Sequence, residues 1–158
     1  FAISGEFRNG AAHGKGTKMY PNGDKFIGVF KGNLHVEGKY IWANGDQYDG
    51  PFDGHLPHGR KGIRRYANGD VYVGEFRRSL AHGKGEYTYD DGSAYKGEFS
   101  KGRMEGKGTL SFGDGSRYEG AFKNDSMHGY GVYILKNGTK MSGYFENGAY
   151  VGETKKKK

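Results

Sequence analysis

The sequence predicts an all-β fold, an elongated single-sheet antiparallel β-meander or solenoid of about seven hairpin repeats, each near 23 residues. Three observations predict it. Glycine supplies 31 of the 158 residues, and many of these glycines recur at a nearly constant interval. Aromatic residues, 15% of the chain, alternate with those glycines at period two, which is the period of a β-strand. Asn-Gly and Asp-Gly pairs, which favour hairpin turns, punctuate the chain.

The repeat is defined by one central glycine in each unit. Successive spacings of these glycines are 23, 22, 24, 23, 23 and 23 residues. The short interval arises because the link from Phe30 to Gly38 lacks one residue, and the long one because a residue is inserted between Gly59 and Gly62. The central glycines are Gly5, Gly28, Gly50, Gly74, Gly97, Gly120 and Gly143.

The first element of each repeat is a strand of the form aromatic-x-Gly-x-Phe. Tyr95, Gly97 and Phe99 of one such strand share a face. Glycine leaves a vacancy there, and we expect a ring to lie flat across it, which offsets the entropic cost of ordering glycine. The glycines at positions 28, 50, 74, 97, 120 and 143 are therefore predicted to be structural. Intervening residues such as Lys96 and Glu98 predict a solvated opposite face.

The second element is a short polar link that ends in His-Gly-x-Gly, followed by a second short strand. That strand ends in an aromatic or apolar residue in each of six repeats. A closing turn such as Ala67-Asn68-Gly69-Asp70 is predicted to be of type I′, with positive φ at both central residues. Two strands in each repeat give about 13 strands in total. The strand-end residues are Tyr20, Trp42, Tyr66, Tyr89, Phe112 and Leu135.

Composition bounds the domain organisation and the class of partner. We predict one repeat domain over residues 1–153 and a disordered basic tail over 154–158. The net charge is +7, of which four lysines of the tail supply 4, so the body carries +3, too little to indicate nucleic-acid binding. The chain has no cysteine and no apolar run near the ~18 residues of a membrane span, and it does not begin with Met, which suggests a piece of a longer protein.

The polar residues do not predict a reactive site. Five histidines are interpreted as one repeat slot, so neighbours lie roughly 10 Å apart, whereas a zinc ion needs all its ligands at about 2 Å. The Gly-rich links do not precede a helix, as a phosphate-binding loop would. We therefore predict no catalytic residue, no metal site, no cofactor and no enzymatic activity. The histidines are His13, His35, His58, His82 and His128.

The aromatic face is the one feature that indicates function. A single sheet has no second layer to cover such a face, so it curls, dimerises or binds something. We expect a groove that takes a helix or an extended peptide of a protein partner, with tyrosine well suited to it because it combines a rigid apolar ring with a polar tip. The predicted groove residues are Tyr66, Tyr72, Phe76, Tyr89, Tyr95, Phe99, Phe112 and Tyr118.

The strand and link motifs together resemble the MORN (membrane occupation and recognition nexus) repeat, whose pattern is YxGxF/W, a short link and HGxG. The resemblance covers Ile3 to Gly152. Ile3 and Met141 depart from it at the aromatic position, and Val36, Glu105 and Val151 interrupt the His-Gly pair. The resemblance implies a twisted single-sheet solenoid with a groove, and a role in scaffolding or attachment rather than catalysis.

Two function classes follow. In the first, the domain is a scaffold in the cytoplasm that tethers a partner to a cytoskeletal or ciliary assembly, a role that only the resemblance implies. In the second, it is a membrane-peripheral module that binds phospholipid, as the regulatory repeat part of a larger protein. The lysine tail favours this class, and the interleaved charges of the repeats disfavour it. A homodimer through unpaired sheet edges is compatible with either class.

Overall fold

A computed structural model describes residues 2–154, which include strands, turns and bends and no helix. The predicted tail lies almost wholly outside the described residues. The chain divides into two compact units, one up to Leu80 and one from Ala81. An all-β antiparallel meander is confirmed in each unit, and the described residues form fifteen strands rather than about 13. The prediction of one domain over residues 1–153 stays a prediction.

The first unit pairs seven strands in chain order, with one short strand added. Its strand order is β1-β2-β3-β4-β5-β7-β8, and β6 pairs with β5. The strands are β1 (Ala2–Arg8), β2 (Ala11–Met19), β3 (Lys25–Lys31), β4 (Leu34–Ile41), β5 (Gln47–Asp53), β6 (Leu56–Pro57), β7 (Gly59–Arg65) and β8 (Val71–Arg77).

The second unit is a more regular meander in which each strand pairs with the next. Its strands are β9 (Leu80–Thr88), of which all but the first residue belong to this unit, β10 (Ala94–Ser100), β11 (Arg103–Ser111), β12 (Arg117–Lys123), β13 (Ser126–Ile134), β14 (Lys140–Glu146) and β15 (Ala149–Gly152).

The His-Gly-x-Gly segment lies within the second strand of the repeat and not in a link before it, which corrects the predicted boundary. In β11 the register runs from Gly97 opposite Gly108 to Phe99 opposite Met104, so the strand carries a β-bulge. Gly106 lies in this bulge with φ of 76°. A left-handed conformation of this kind favours glycine, which explains the first glycine of the motif.

The turn that closes each repeat is not of the type that the sequence predicts. The predicted type I′ turn at Asn68-Gly69 is wrong, because only Gly69 has positive φ (101°) and its amide donates to the Tyr66 carbonyl at 3.0 Å. This is a three-residue loop, a type I turn followed by a left-handed glycine. Type I′ geometry occurs instead inside the repeat, for example at Lys101 (φ 51°) and Gly102 (φ 81°).

Turn aspartates join successive repeats of the first unit. Asp24 accepts the amide of Ala43 at 2.8 Å and the hydroxyl of Tyr40 at 2.7 Å. Asp46 accepts the amide of Ala67 at 2.8 Å in the same way. Because each aspartate satisfies a donor of the following turn, it fixes the spacing between neighbouring hairpins.

Candidate functional site

The first-strand tyrosines are core residues. Tyr95 and Tyr118 are 0% exposed, and each hydroxyl donates to the carbonyl three residues later, of Glu98 and Ala121 respectively. Burial also raises the pKa of the Tyr95 phenol, with a further contribution from Glu98. The hydroxyl groups of these side chains are hydrogen-bonded within their own strands, and the rings belong to the core of the sheet.

The buried rings form a zigzag of edge-to-face contacts. Tyr95 contacts Phe99 of its own strand with centroids 5.0 Å apart, and Phe122 of the next repeat at 4.9 Å. Tyr118 repeats this arrangement with Phe122 at 5.2 Å and Phe145 at 4.8 Å. Each such contact contributes about 0.5–1.5 kcal/mol beyond burial. The ladder stabilises neighbouring repeats without a second layer.

The vacancy interpretation of the strand glycines is confirmed. A Cβ atom added at Gly97 would lie 2.5 Å from the Gly108 α-carbon, and one added at Gly108 would lie 2.5 Å from Cε1 of Tyr95. The Tyr95 ring therefore covers two paired glycines. Gly74 pairs with Gly62 in the same register. Added Cβ atoms also meet backbone at five further central glycines, Gly5, Gly28, Gly50, Gly120 and Gly143.

Five of the eight predicted groove residues are buried, which corrects the expectation that they line a surface. Exposed fractions are 6% or less for all five, because the ring ladder itself covers them. Sequence periodicity correctly assigns them to one face of the sheet, but it does not show how deeply each side chain is buried. Whether the other three, Tyr66, Tyr89 and Phe112, bind a partner stays a prediction; these are half-buried. The buried five are Tyr72, Phe76, Tyr95, Phe99 and Tyr118.

In the second unit, half-buried rings at the ends of the second strands form what we call the second-unit stripe: Tyr87, Tyr89, Phe112 and Tyr133. The centroids of Tyr87 and Tyr89 lie 4.6 Å apart, and those of Phe112 and Tyr133 lie 5.8 Å apart. Leu135 follows with 37% of its surface exposed. The stripe combines ordered rings with accessible apolar surface, which the buried ladder does not.

In the first unit the corresponding rings are Tyr20, Tyr40, Trp42 and Tyr66, the first-unit stripe. Two cations lie over it. The Arg64 guanidinium is 4.2 Å from the centroid of Trp42, and the Lys18 ammonium is 4.8 Å from that of Tyr20. The predicted residues include only Tyr66 of this stripe. Tyr20 and Trp42 occupy the same strand-end position in the sequence, so the repeat pattern could have found them.

Carboxylates beside the first-unit stripe are held ionised by hydrogen bonds. The Ala67 amide lowers the pKa of Asp46, burial opposes this, and Arg64 lowers it further through an ion pair at 3.1 Å. Burial raises the pKa of the Asp24 carboxyl, but hydrogen bonds from Tyr40, Ala43 and Asn22 outweigh it, and the net direction is downward. Both carboxylates are thus engaged within the fold.

His35 does not share the slot of the other histidines, which corrects the interpretation of five equivalent positions. It lies opposite Phe30, where Met104 lies opposite Phe99, because the residue missing from this repeat follows His35. Its ring is 2% exposed and stacks on Phe26 at 3.9 Å with an interplanar angle of 10°. Desolvation by burial, with smaller contributions from His55 and Lys18, lowers the pKa of His35 to about 4.

The opposite face is less polar than the sequence predicts. In the first unit it carries an open groove of about 590 Å³ above the row of paired glycines, with Ile27 and Val29 among its walls. Ile27 is 41% exposed. Within residues 2–154, no group of three His, Cys, Asp or Glu side chains is placed to hold a metal ion. The same residues include no helix able to span a membrane.

The chain was compared with protein families, with curated proteins and with solved structures. A family model described as the MORN repeat matches residues 4–25, 26–47, 72–94, 95–117 and 118–140. A search of curated proteins found no significant match. Among solved structures, the chain is similar to the SAS-4 (dCPAP) TCP domain of Drosophila melanogaster, solved in complex with a proline-rich motif of Ana2 (dSTIL). That similarity has 15% identity, 82% and 77% coverage of this chain and that chain, and a TM-score of 0.49.

Proposed function

Since this chain belongs to the MORN repeat family, we propose that it is a non-catalytic protein-interaction module whose half-buried aromatic stripes dock a segment of a protein partner. The observation that carries the proposal is the division of the rings into two layers. One set of rings is buried and forms the core of the sheet, and the other set is half-buried and keeps accessible apolar surface.

The second-unit stripe suits a slender apolar segment. Successive repeats are two strands apart, so Tyr89 and Phe112 lie on positions roughly 10 Å from one another. An α-helix is about 10–12 Å wide, and its apolar side would cover both rings, while an extended peptide would follow one of them. Each ring is held from behind by a hydrogen-bonded strand, which limits the entropy lost on binding.

Two experiments test this function. A photoreactive phenylalanine analogue is placed at Phe112, and the matched control places it at Lys96, which is exposed and lies on the opposite face. In lysate we expect a protein adduct at position 112 and little at 96. The identified partner is then titrated with the wild type, with Phe112→Ala and with Lys96→Ala. Loss of a ring anchor should weaken binding by about 2 kcal/mol, or roughly 30-fold. Equal weakening by both variants would refute a working surface at the stripe.

The setting belongs to the same proposal. We place the module in the cytoplasm, as a tether to a cytoskeletal or ciliary assembly, on the family alone. The competing functions are outcomes of the test. Binding of the wild type to anionic vesicles at about 0.15 M salt, retained when residues 154–158 are removed, would favour a phospholipid module. A concentration-dependent dimer that dissociates when β15 is changed would favour association through a sheet edge.

A further inference from the structure

We propose that the first unit contains a second, distinct recognition site: a cleft, made by the two irregular repeats, that binds the aromatic side chain of an acidic, extended peptide segment. The inference rests on the proposed function, which it deepens by naming the class of segment. It uses residues outside the second-unit stripe, so the two sites can be tested separately.

The cleft has a volume of about 310 Å³ and aromatic walls. One wall is a row of tilted rings, in which the centroids of Tyr20 and Tyr40 lie 5.9 Å apart and those of Tyr40 and Trp42 lie 4.8 Å apart. His55 contributes to the other wall. The buried ring of His35 lies between them, 4.9 Å from the centroid of His55, and a hydrogen bond of 2.9 Å joins its Nε2 to the Tyr20 hydroxyl.

The cleft lies where one internal turn departs from the others. In the other internal turns of the described residues the second residue is left-handed, as at Asn33 (φ 69°) and Asp125 (φ 67°). Their side chains accept the amides of Ala12 and Met104, both at 2.8 Å. At the equivalent position His55 is not left-handed, and its ring lies edge-on to His35 instead.

The irregularity coincides with a gap in the family pattern. The residues from 48 to 71, which the MORN repeat model does not match, supply His55 and Leu56 to the cleft. The same segment carries the inserted residue and the short strand β6. Departures from a regular sequence pattern concentrate at functional sites, because a residue there serves binding or catalysis in place of the stabilising contact that the pattern would supply.

The dimensions select an aromatic side chain rather than a helix. One turn of a helix about 10 Å wide, with a pitch of 5.4 Å, occupies roughly 400 Å³, which exceeds the cleft. A single ring from an extended segment fits, and it meets tilted and edge-on rings at distances typical of aromatic pairs, about 4.5–7 Å between centroids. Aromatic side chains that enter such pockets dominate the binding energy of protein interfaces.

The charge of the cleft selects an acidic neighbour for that ring. Lys18 is the one formally charged residue among those that line the cleft in the described chain. The Arg64 guanidinium, 4.2 Å from the Trp42 ring, is ion-paired with Asp46 at 3.1 Å, so it adds no net charge to the cleft. Asp24 and Asp46 are not among the residues that line the cleft. A segment with Asp or Glu beside its aromatic residue therefore complements Lys18.

Trp42 makes the test direct, because it lines the cleft and the chain has 1 tryptophan. The full chain is titrated with the amidated peptide Glu-Asp-Phe-Glu-Gly while Trp42 fluorescence is recorded. We expect a saturable change in fluorescence. The affinity should fall at least tenfold when Phe in the peptide is replaced by Ala, and by a similar factor when its acidic residues are replaced by Lys. Raising the salt from about 0.05 M to about 0.3 M should weaken binding of the acidic peptide.

Variants of the protein separate the cleft from the rest of the surface. His55→Ala removes an exposed wall residue and should reduce affinity at least fivefold, whereas His82→Ala, in a regular repeat, should not. Lys18→Gln should reduce the preference for the acidic peptide over the Lys-substituted one, and Lys39→Gln on the opposite face should leave it unchanged. Circular dichroism confirms that each variant is folded.

The inference is overturned if the Phe and Ala peptides bind equally, if a proline-only peptide binds more tightly than the Phe peptide, or if no response occurs up to about 1 mM, the weak limit of specific binding. Failure of this site leaves crosslinking at Phe112 intact. Failure of the proposed function instead removes crosslinking at Phe112, while the peptide still changes the fluorescence of Trp42.

Discussion

Replacing His35 with methionine should remove much of the pH dependence of stability between pH 6.5 and 4. The regular repeats supply the reason for this substitution, because Met104 and Met127 occupy the same position opposite the repeat phenylalanine. At this position the second repeat holds a histidine that is 2% exposed and stacked on Phe26. A protonated imidazole there would lose its hydration, and the Nδ1 atom of His35 has no hydrogen-bond partner.

The direction and size of this pH effect on stability follow from the lowered pKa of His35. The pKa of His35 is about 4 in the fold and 6.5 without it, so between these values the unfolded chain binds more protons. Stability is then complete above pH 6.5 and decreases as the pH falls toward 4. The difference between these two pKa values corresponds to at most ~3.4 kcal/mol, and to about 2 kcal/mol after allowance for solvent screening in the open cleft.

The assay is urea unfolding at several pH values from 7.5 to 4.5, followed by Trp42 fluorescence and circular dichroism. We expect the free energy of unfolding of His35→Met to exceed that of the wild type by an amount that grows as the pH falls, reaching about 2 kcal/mol. His13→Met, at a histidine of the regular repeat slot, is the matched control and should follow the wild-type profile. Parallel profiles for wild type and His35→Met would refute the reasoning.

Three further changes test the fold, each by the shift in free energy of unfolding in urea. Gly97→Leu should cost more than 1 kcal/mol, because its Cβ would meet the backbone of Gly108, while Lys96→Leu on the solvated face should stay within about 0.5 kcal/mol; equal costs would contradict the covered vacancy. Lys101→Gly should stabilise by about 0.5–1 kcal/mol, since it relieves a left-handed residue, whereas Lys107→Gly within β11 should destabilise; the same sign for both would exclude a type I′ turn. Asp46→Ala should cost about 1–3 kcal/mol at neutral pH, because the Ala67 amide and Arg64 lose their acceptor. The pKa of Asp46 is lowered below 3.8, so the stability that its carboxylate contributes is lost only as the pH falls through the lowered pKa. If the stability difference between variant and wild type did not shrink over that pH range, the role of the carboxylate would be contradicted.

The repeat architecture was predictable because its signals are local and periodic. The position of Gly97 between Tyr95 and Phe99 establishes a strand with a vacancy, and the recurrence of the pattern establishes the meander. The type of turn was not predictable from an Asn-Gly dipeptide. Asn9-Gly10 adopts type I′ geometry, whereas the identical pair Asn22-Gly23 lies in a three-residue loop with only the glycine left-handed. Loop length decides between them, and it depends on the pairing of the flanking strands.

The candidate site was predictable in its chemistry but not in its depth. Tyr95 and Phe112 both belong to the aromatic face, yet one is 0% exposed and the other is half-buried. Alternation reports which side of the sheet a residue faces, and it is the next repeat that decides how much of that residue is covered. The Phe122 ring, which covers Tyr95 at 4.9 Å, lies 27 residues away in a position that only the three-dimensional stacking defines.

The irregular repeats indicate how a repeat array separates stability from recognition. In a regular repeat, a turn residue such as Asp125 accepts a hydrogen bond from the Met104 amide, so the turn contributes to stability and presents no cleft. At His55 that bond is given up, and the ring instead forms part of a wall beside His35. Because stability in such arrays is approximately a sum over neighbouring units, the loss stays local and the regular repeats of the second unit are unaffected. His55→Asp, which introduces the residue found at Asp125, should therefore raise the stability of the first unit and close the cleft to the acidic peptide. A gain in stability without loss of peptide binding would show that the two are not exchanged at this position.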